Sequence, residues 1–185
     1  DRGPPRPPPR GAGRPRPVRC WREAPNMNGP EDNRAFHRHP AHPAPIRRHN
    51  QPLILHVTVC AKIRGHILDN DRAHNAVAEA SRQATHWQVG EYVVMPDHVH
   101  FFCAPGTPDY PPIRRWAGYL KRLVGMIEPT MKSVFQEDCW DTQIRDLAHF
   151  NEKLSYMRQN PVRRGLAPTW DAWVYRGCVF DVHWL

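Results

Sequence analysis

Two histidines separated by one residue lie in the most apolar part of the chain. They are His98 and His100, in the run MPDHVHFF at residues 95–102. Side chains alternate along a β-strand, so both imidazoles project from one face while Val99 and Phe101 project from the other. Neutral imidazoles can bind a divalent cation. The pair alone is also typical of surface strands and cores, so it is informative only together with a second group.

The second group lies in LAHFNEKLSYMRQN, residues 147–160, which has helical periodicity. Tyr156 projects to nearly the opposite side from the apolar stripe, and Asn160 follows one turn later on the same side. An amide oxygen can complete a three-ligand set with two imidazoles and leave positions open for a substrate. Gln159 is an alternative amide ligand and Asp97 a further contributor, and helix geometry favours Asn160. The apolar stripe consists of Leu147, Phe150, Leu154 and Met157.

A metal and a tyrosine at one site indicate a particular chemistry. A tyrosine hydroxyl has an unperturbed pKa of about 10 and is a poor nucleophile at neutral pH. A bound cation can polarise a phosphorus atom and stabilise the developing charge, which makes attack by Tyr156 feasible. These residues therefore predict a site that acts on a phosphodiester.

The elements that must position these residues can be predicted from periodicity and turn residues. Residues 52–60 are β-branched and apolar and predict a strand, and residues 71–87 predict a helix capped by Asn70 or Asp71. EYVVM and HVHFFCA flank Pro96 and Asp97 and predict a β-hairpin whose second strand begins with the two histidines.

The second half of the chain predicts two further helices and a strand. Pro111 and Pro112 precede an apolar stripe that runs from Ile113 to Ile127. SVFQEDCW, residues 133–140, predicts a strand, and the last helix is expected to end at Asn160 because a proline follows. The order β, α, β, β, α, β, α indicates an α+β protein with a ferredoxin-like split βαβ sheet and its helices on one face.

Two sets of basic residues could contact nucleic acid. The first, on the polar side of the helix from 113, comprises Arg114, Arg115, Lys121 and Arg122. The second, around Tyr156, comprises Arg158, Arg163 and Arg164. Each set can be an ordinary solvated helix surface or a phosphate-binding surface. We predict phosphate contacts for both, since a polyanionic substrate must lie within reach of Tyr156.

The net charge of +8 is concentrated at the N-terminus. Residues 1–50 carry 11 of the 26 basic residues, 4 of the 18 acidic ones and 12 of the 21 prolines. With few apolar residues to bury, this segment is expected to be a disordered tail, and residues 51–185 are expected to form one domain. The tail contains HRH at residues 37–39, to which we assign no role.

Other classes of protein are disfavoured by composition. The five cysteines are far apart and form no CxxC motif, which argues against a zinc ribbon or a disulfide scaffold. The chain has no apolar stretch long enough for a signal peptide or a membrane span, so we expect no membrane partner and an intracellular location.

Three motifs in this order resemble a known family. YVVMPDHVHFF, VFQEDCWDTQIR and above all KLSYMRQNPVRRGL resemble the single-tyrosine HUH transposases, specifically the REP-associated tyrosine transposase branch. The similarity extends from about residue 52 to residue 180. The sequence departs from the family in two places: Asp97 stands where asparagine is common, and Thr142 where histidine or arginine is common. The first departure adds negative charge near the metal, and the second leaves a DNA contact in doubt.

The resemblance implies a complete activity. His98 and His100 would bind Mg²⁺ or Mn²⁺, Asn160 would supply the third ligand, and Tyr156 would attack the scissile phosphate of single-stranded DNA next to a hairpin. The products would be a 5′-phosphotyrosine and a free 3′-hydroxyl, and rejoining would need no nucleotide cofactor. It also implies a cytoplasmic, nucleoid-associated bacterial protein that is a monomer or a homodimer.

Two other functions remain open from the sequence. One is a domesticated, non-catalytic DNA-binding regulator on the same fold. The other is a rolling-circle initiator or relaxase, although such proteins generally contain more than about 135 folded residues.

Overall fold

The protein is an α+β domain built on one antiparallel sheet, as expected. The structure is a computed structural model that describes residues 42–184. The sheet has the strand order β4-β1-β3-β2-β5, which contains the ferredoxin-like order of the first four strands. The elements are β1 (Leu55–Cys60), α1 (Asp71–Gln83), β2 (Trp87–Met95), β3 (His98–Pro105), α2 (Ile113–Ile127), the 3-10 turn Pro129–Met131, β4 (Trp140–Gln143), α3 (Leu147–Arg163) and β5 (Arg176–Cys178).

The strand that begins with the two histidines lies at the centre of the sheet. β3 forms a hairpin with β2 and pairs on its other side with β1, antiparallel in both cases. His100 is opposite Thr58 of β1, and His98 is opposite Cys60. Residues opposite each other in an antiparallel pair face the same side, so β1 contributes side chains to the surface that carries the imidazoles.

The two faces of the sheet bury different cores. Val99 and Phe101 pack with α1 and α2 on one face, and Phe102 packs with Phe150 and Met157 of α3 on the other. The expectation that the helices share one face therefore holds for α1 and α2 but is wrong for α3. Because α3 has an apolar stripe of its own, it covers the side of the sheet that carries His98 and His100.

The last helix is longer than predicted. It continues through Pro161 to Arg163 instead of ending at Asn160. A proline lacks an N–H group, so residue 161 donates no bond within the helix, but the Arg164 N–H donates to the Asn160 carbonyl and closes the last turn. The chain then leaves the helix at Gly165, whose φ of +67° is the left-handed conformation that favours glycine.

Three other boundaries differ from the sequence predictions. α1 ends at Gln83, and Trp87 is the buried first residue of β2. Residues 133–139 form a loop that begins with a left-handed residue, Ser133 (φ +63°), and the predicted strand is displaced to Trp140–Gln143. The short strand β5, which pairs with the edge of β2, was not predicted. Its Gly177 contacts the Tyr92 ring so closely that a Cβ would lie 2.7 Å from the phenolic oxygen.

The predicted tail lies largely outside the described residues, as does the HRH run at 37–39. Residues 42–50 are described and have no regular helix or strand, but they contact the edge strand β4. The backbone N–H and C=O of Ile46 bond to the side-chain amide of Gln143 at 2.9 and 2.7 Å. Between residues 42 and 184, no helix is both long enough and apolar enough to cross a membrane.

Candidate active site

The two imidazoles of β3 converge on one point. Nε2 of His98 lies 3.1 Å from Nε2 of His100, and the ring planes are nearly perpendicular at 78°. Both side chains are buried, at 2% and 3% exposure. Two nitrogen ligands at about 2.1 Å from one cation and at right angles to each other are about 3 Å apart. The separation of the two nitrogens therefore suits a shared cation.

The tautomer of His98 is fixed by Asp97. Nδ1 of His98 lies 2.7 Å from the Asp97 carboxylate, which also accepts a 3.1 Å hydrogen bond from Arg164. Burial disfavours the ionised carboxyl, but the hydrogen bonds from His98 and Arg164 and the positive charge of Arg164 prevail and lower the pKa of Asp97 to about 2. An ionised carboxylate only accepts hydrogen bonds, so Nδ1 of His98 carries the proton and Nε2 presents its lone pair.

The second imidazole is oriented by β1. The Thr58 hydroxyl lies 2.7 Å from Nδ1 of His100. Because a hydroxyl both donates and accepts, it is compatible with either tautomer of His100. The His56 ring stacks on His100 with the centroids 5.2 Å apart. Thr58 therefore allows Nε2 of His100 to present a lone pair when a cation is bound.

Burial keeps the histidines neutral. Desolvation lowers the pKa of His98 and lowers that of His100 well below its ordinary value, the latter with help from neighbouring positive charge. Burial, with smaller contributions from Lys153 and His149, lowers the pKa of His56 to about 3. Neutral rings are the form that binds metal ions.

Tyr156 lies beside this pair. Its ring centroid is 6.0 Å from that of His100, with the rings nearly perpendicular at 73°. The Arg163 guanidinium lies over the Tyr156 ring, 5.8 Å from the ring centroid. α3 therefore brings the Tyr156 ring to the imidazoles and places a positive charge close to it.

The two amide candidates differ sharply. Asn160 is buried at 3% exposure, and its Nδ2 has no hydrogen-bond partner among residues 42–184. Gln159 is exposed, and its amide donates a 3.2 Å hydrogen bond to Ser155. A buried N–H group without a partner is costly, and an acceptor such as a phosphate oxygen would remove that cost, whereas a cation binds the amide oxygen. Because its side chain is buried and that of Gln159 is exposed, Asn160 stays the preferred candidate for the third ligand.

Asp97, which the sequence offered as a further contributor to the metal site, contacts His98 instead. It contacts the outer nitrogen of His98, so it orients the imidazole and is not positioned by that contact as a ligand. A cleft of about 280 Å³ opens beside it. The cleft is lined by Gly65, His66, Pro96, Asp97, Arg164 and Leu166.

Sequence reasoning missed three residues near the site. They are His56 and Thr58 of β1 and Lys153, which lies on α3 one turn before Tyr156 and exerts its charge on His56 and His100. The alternation of HVT in β1 does place His56 and Thr58 on one face. The pairing of β1 with β3, which brings these two residues next to His100, was not predicted from the sequence.

The three arginines around Tyr156 have different surroundings. Arg158 makes a bidentate ion pair with Glu91 at 2.7 and 2.6 Å, and Arg164 pairs with Asp97. Arg163 is exposed near the Tyr156 ring. The positive charge of Arg163 therefore lies close to the tyrosine ring.

The basic residues of α2 lie on the opposite face of the sheet from His98 and His100. The Lys121 ammonium is half-buried and donates to the carbonyls of residues 136–138 at 2.9, 2.6 and 3.2 Å. Arg114 pairs with Glu137 and Asp138, and the exposed Arg122 lies over the Tyr119 ring. Arg115 is exposed. The structure does not bring this set to the candidate site.

Comparison with solved structures finds proteins of similar fold. No protein-family model matches the chain, and no curated protein matches it. Among solved structures, the chain is similar to a REP-associated tyrosine transposase bound to a REP hairpin, with a TM-score of 0.57 and 19% sequence identity. The match covers 75% of this chain and 94% of that one. This protein therefore has the fold of that transposase, in agreement with the resemblance drawn from the motifs.

Proposed function

We propose that the protein is a metal-dependent enzyme that cleaves and rejoins single-stranded DNA near hairpins, with Tyr156 as its nucleophile. The observation that carries the proposal is the position of the Tyr156 ring, 6.0 Å from that of His100, beside two imidazole nitrogens 3.1 Å apart. The solved transposase of the same fold is bound to a DNA hairpin, which supports DNA as the substrate.

In this proposal the metal ligands are His98, His100 and Asn160, and the cation is Mg²⁺ or Mn²⁺. When bound, it would supply positive charge that polarises the scissile phosphate. Asp97 and Thr58 hold the two imidazoles in place through their Nδ1 atoms. Because these groups are already buried and oriented, the site needs little rearrangement to accept a substrate phosphate.

Tyr156 acts on the phosphorus of the scissile bond. Its phenolic oxygen forms a new bond to phosphorus as the bond to the 3′ oxygen breaks, the phenol loses its proton, and the 3′ oxygen ends as a hydroxyl. Arg163 stabilises negative charge on the phenolic oxygen and the phosphate. One phosphoester replaces another, so the phosphotyrosine can transfer the strand to a new 3′-hydroxyl without a cofactor.

The test is covalent capture. Purified protein incubated with an end-labelled hairpin oligonucleotide and Mn²⁺ is expected to give an adduct that survives denaturing electrophoresis and carries the DNA on Tyr156. Tyr156→Phe and a chelator should each remove the adduct, whereas the matched control Tyr119→Phe, on α2, should form it normally. An adduct retained by Tyr156→Phe would refute the assignment of the nucleophile.

The alternative, a regulator that binds DNA without cleaving it, makes a different prediction in the same experiment. It predicts hairpin binding by the wild type with no adduct under any divalent metal. The buried amide of Asn160 and the paired imidazoles favour the enzyme, since burying polar side chains is costly and a protein that only binds DNA gains nothing from it.

A further inference from the structure

A second group of metal-ligating side chains lies at the edge of the sheet, away from the candidate active site. His42, Cys139 and Asp141 place one ligand atom each within 4.8 Å of the others. Cys139 and Asp141 are two residues apart where the chain enters β4, so they project from the same face. We call these three residues the edge cluster.

The edge cluster is on the other side of the sheet from the imidazole pair. Asp141 is opposite Val57 of β1, which packs in the core under α1 and α2, and Cys139 belongs to that core. His98 and His100 lie on the face covered by α3. A ligand of the edge cluster is therefore separate from the cation proposed for catalysis.

His42 lies between two carboxylates. One ring nitrogen, Nδ1, contacts the Asp141 carboxylate and the other, Nε2, lies 2.8 Å from the Asp138 carboxylate. Arg114 also pairs with Asp138, whereas the Asp141 side chain is only 5% exposed, so water screens the charge of Asp141 poorly. A cation at Nδ1 and the Asp141 carboxylate would compensate that charge.

The identities of the side chains determine which cation fits. Cysteine sulfur, histidine nitrogen and a carboxylate oxygen are the ligands of Zn²⁺ in proteins, whereas Mg²⁺ and Ca²⁺ prefer oxygen. Ligand atoms around a tetrahedral zinc ion are about 3 to 4 Å apart. The His42 and Asp141 atoms, now in direct hydrogen-bond contact, would therefore move apart to admit the ion, with the cysteine sulfur within 4.8 Å of both.

The surroundings of the edge cluster resemble those of a metal site. The Asp138 carboxylate contacts the second nitrogen of His42, the arrangement by which a carboxylate orients a metal-binding imidazole. Asp138 is itself held by the backbone N–H of Cys139 at 2.9 Å and by Arg114 at 3.3 Å. Lys121 fixes the backbone of residues 136–138.

We propose that His42, Cys139 and Asp141 form a structural site for a zinc-class divalent cation that fastens residues 42–46 to the edge strand β4. Binding forms bonds from the metal to sulfur, nitrogen and oxygen and releases the thiol proton to solvent, while the other ring nitrogen of His42, Nε2, keeps its proton and donates it to Asp138. The short edge strand is covered as a result, which protects it from pairing with another chain.

The test uses Co²⁺ as a spectroscopic substitute for Zn²⁺ on the full chain, kept reduced with a phosphine. A thiolate bound to Co²⁺ gives a sulfur-to-metal charge-transfer absorption that the sulfur-free His98 and His100 site cannot produce. We expect this absorption in the wild type, its loss on addition of Zn²⁺, and its loss in Cys139→Ser and Asp141→Asn. The control Cys178→Ser, which changes an exposed thiol, should keep it. Its absence in the wild type, or its survival in Cys139→Ser, would overturn the proposal.

Two further measurements separate this inference from folding defects and from the proposed catalysis. Zn²⁺ is expected to raise the Tm of the wild type but not that of His42→Ala, a change outside the core. An equal rise in both would contradict the site. His98→Ala should keep the Co²⁺ absorption while losing the DNA adduct, so failure at one site is distinguishable from failure at the other.

Discussion

The Arg164 guanidinium, just beyond the end of α3, donates a 3.1 Å hydrogen bond to Asp97 in the turn that precedes β3. The same carboxylate accepts from Nδ1 of His98. The contact links the C-terminal end of α3, the helix that carries Tyr156, to Asp97, which orients the proposed metal ligand His98. It also places a positive charge beside the negative charge that Asp97 introduces next to His98.

Loss of this carboxylate should weaken metal binding. We expect Asp97→Ala to lower Mn²⁺ affinity by about 10- to 100-fold, because His98 loses the partner that fixes its tautomer. Arg164→Ala should also lower the Mn²⁺ affinity, but by a smaller factor. Calorimetric titration with Mn²⁺ measures both. Arg158→Ala, which breaks a different ion pair on the same helix, is the matched control, and unchanged affinity in Asp97→Ala would contradict the role of this contact.

The two adjacent amides provide a direct comparison. Asn160→Ala should reduce Mn²⁺ affinity and formation of the DNA adduct by at least about tenfold, since it removes the third proposed ligand. Gln159→Ala should leave both within about twofold, because that side chain is exposed and bonded to Ser155. Circular dichroism confirms that the variants are folded. The reverse order of effects would assign the ligand to Gln159.

The basic residues of the two faces should differ in DNA binding. Arg163→Ala is expected to weaken binding of a fluorescent hairpin and to lower the slope of log affinity against log salt by about 1. Arg115→Ala, an exposed arginine on the opposite face of the sheet, should leave the slope unchanged. Anisotropy titrations between about 50 and 200 mM salt measure the slope. Equal losses in the two variants would show that DNA contacts both faces.

Stability should fall in acid because of His56. Its pKa is about 3 in the folded protein and ordinarily 6.5, so below pH 6.5 the unfolded chain takes up a proton that the folded chain excludes. The contribution of the neutral His56 ring to the free energy of unfolding is fully present above pH 6.5. It is lost as the pH falls toward 3, by up to about 1.4 kcal/mol per pH unit. Urea unfolding at several pH values measures it.

Replacement of His56 should flatten that dependence. His56→Leu is expected to reduce the slope of the unfolding free energy against pH between pH 6 and 4. The reduction is up to about 1.4 kcal/mol per pH unit, which corresponds to one proton fewer taken up on unfolding. His183→Leu, at an exposed position, serves as the control and should leave the slope unchanged. A slope unaltered in His56→Leu would show that this ring does not remain neutral in the folded state.

The hairpin and the direction of its side chains were predictable from the sequence. Pro96 and Asp97 interrupt two apolar runs, and period-two alternation places His98 and His100 on one face whatever their partners are. In the last helix, the apolar stripe likewise places Tyr156 and Asn160 together on another side. These are local properties, because they depend on backbone geometry over a few residues.

The sequence was less informative where tertiary contacts override local preference. Pro161 predicted that α3 ends at Asn160, but the helix continues for three residues, and the Arg164 N–H closes its last turn on the Asn160 carbonyl. The strand expected at residues 133–140 is displaced because Lys121 binds the carbonyls of residues 136–138 and holds them as a loop. No local pattern includes that lysine.

By itself the sequence determined which residues could do chemistry, which faces of their elements carry them and the α+β order of those elements. Only the tertiary structure decided that α3 covers the face of the imidazoles, that Thr58 and Asp97 orient them, that the α2 cations lie on the other side, and that His42 reaches Cys139 and Asp141. Periodicity acts over a few residues, whereas these relationships depend on which faces are buried against each other across tens of residues of chain.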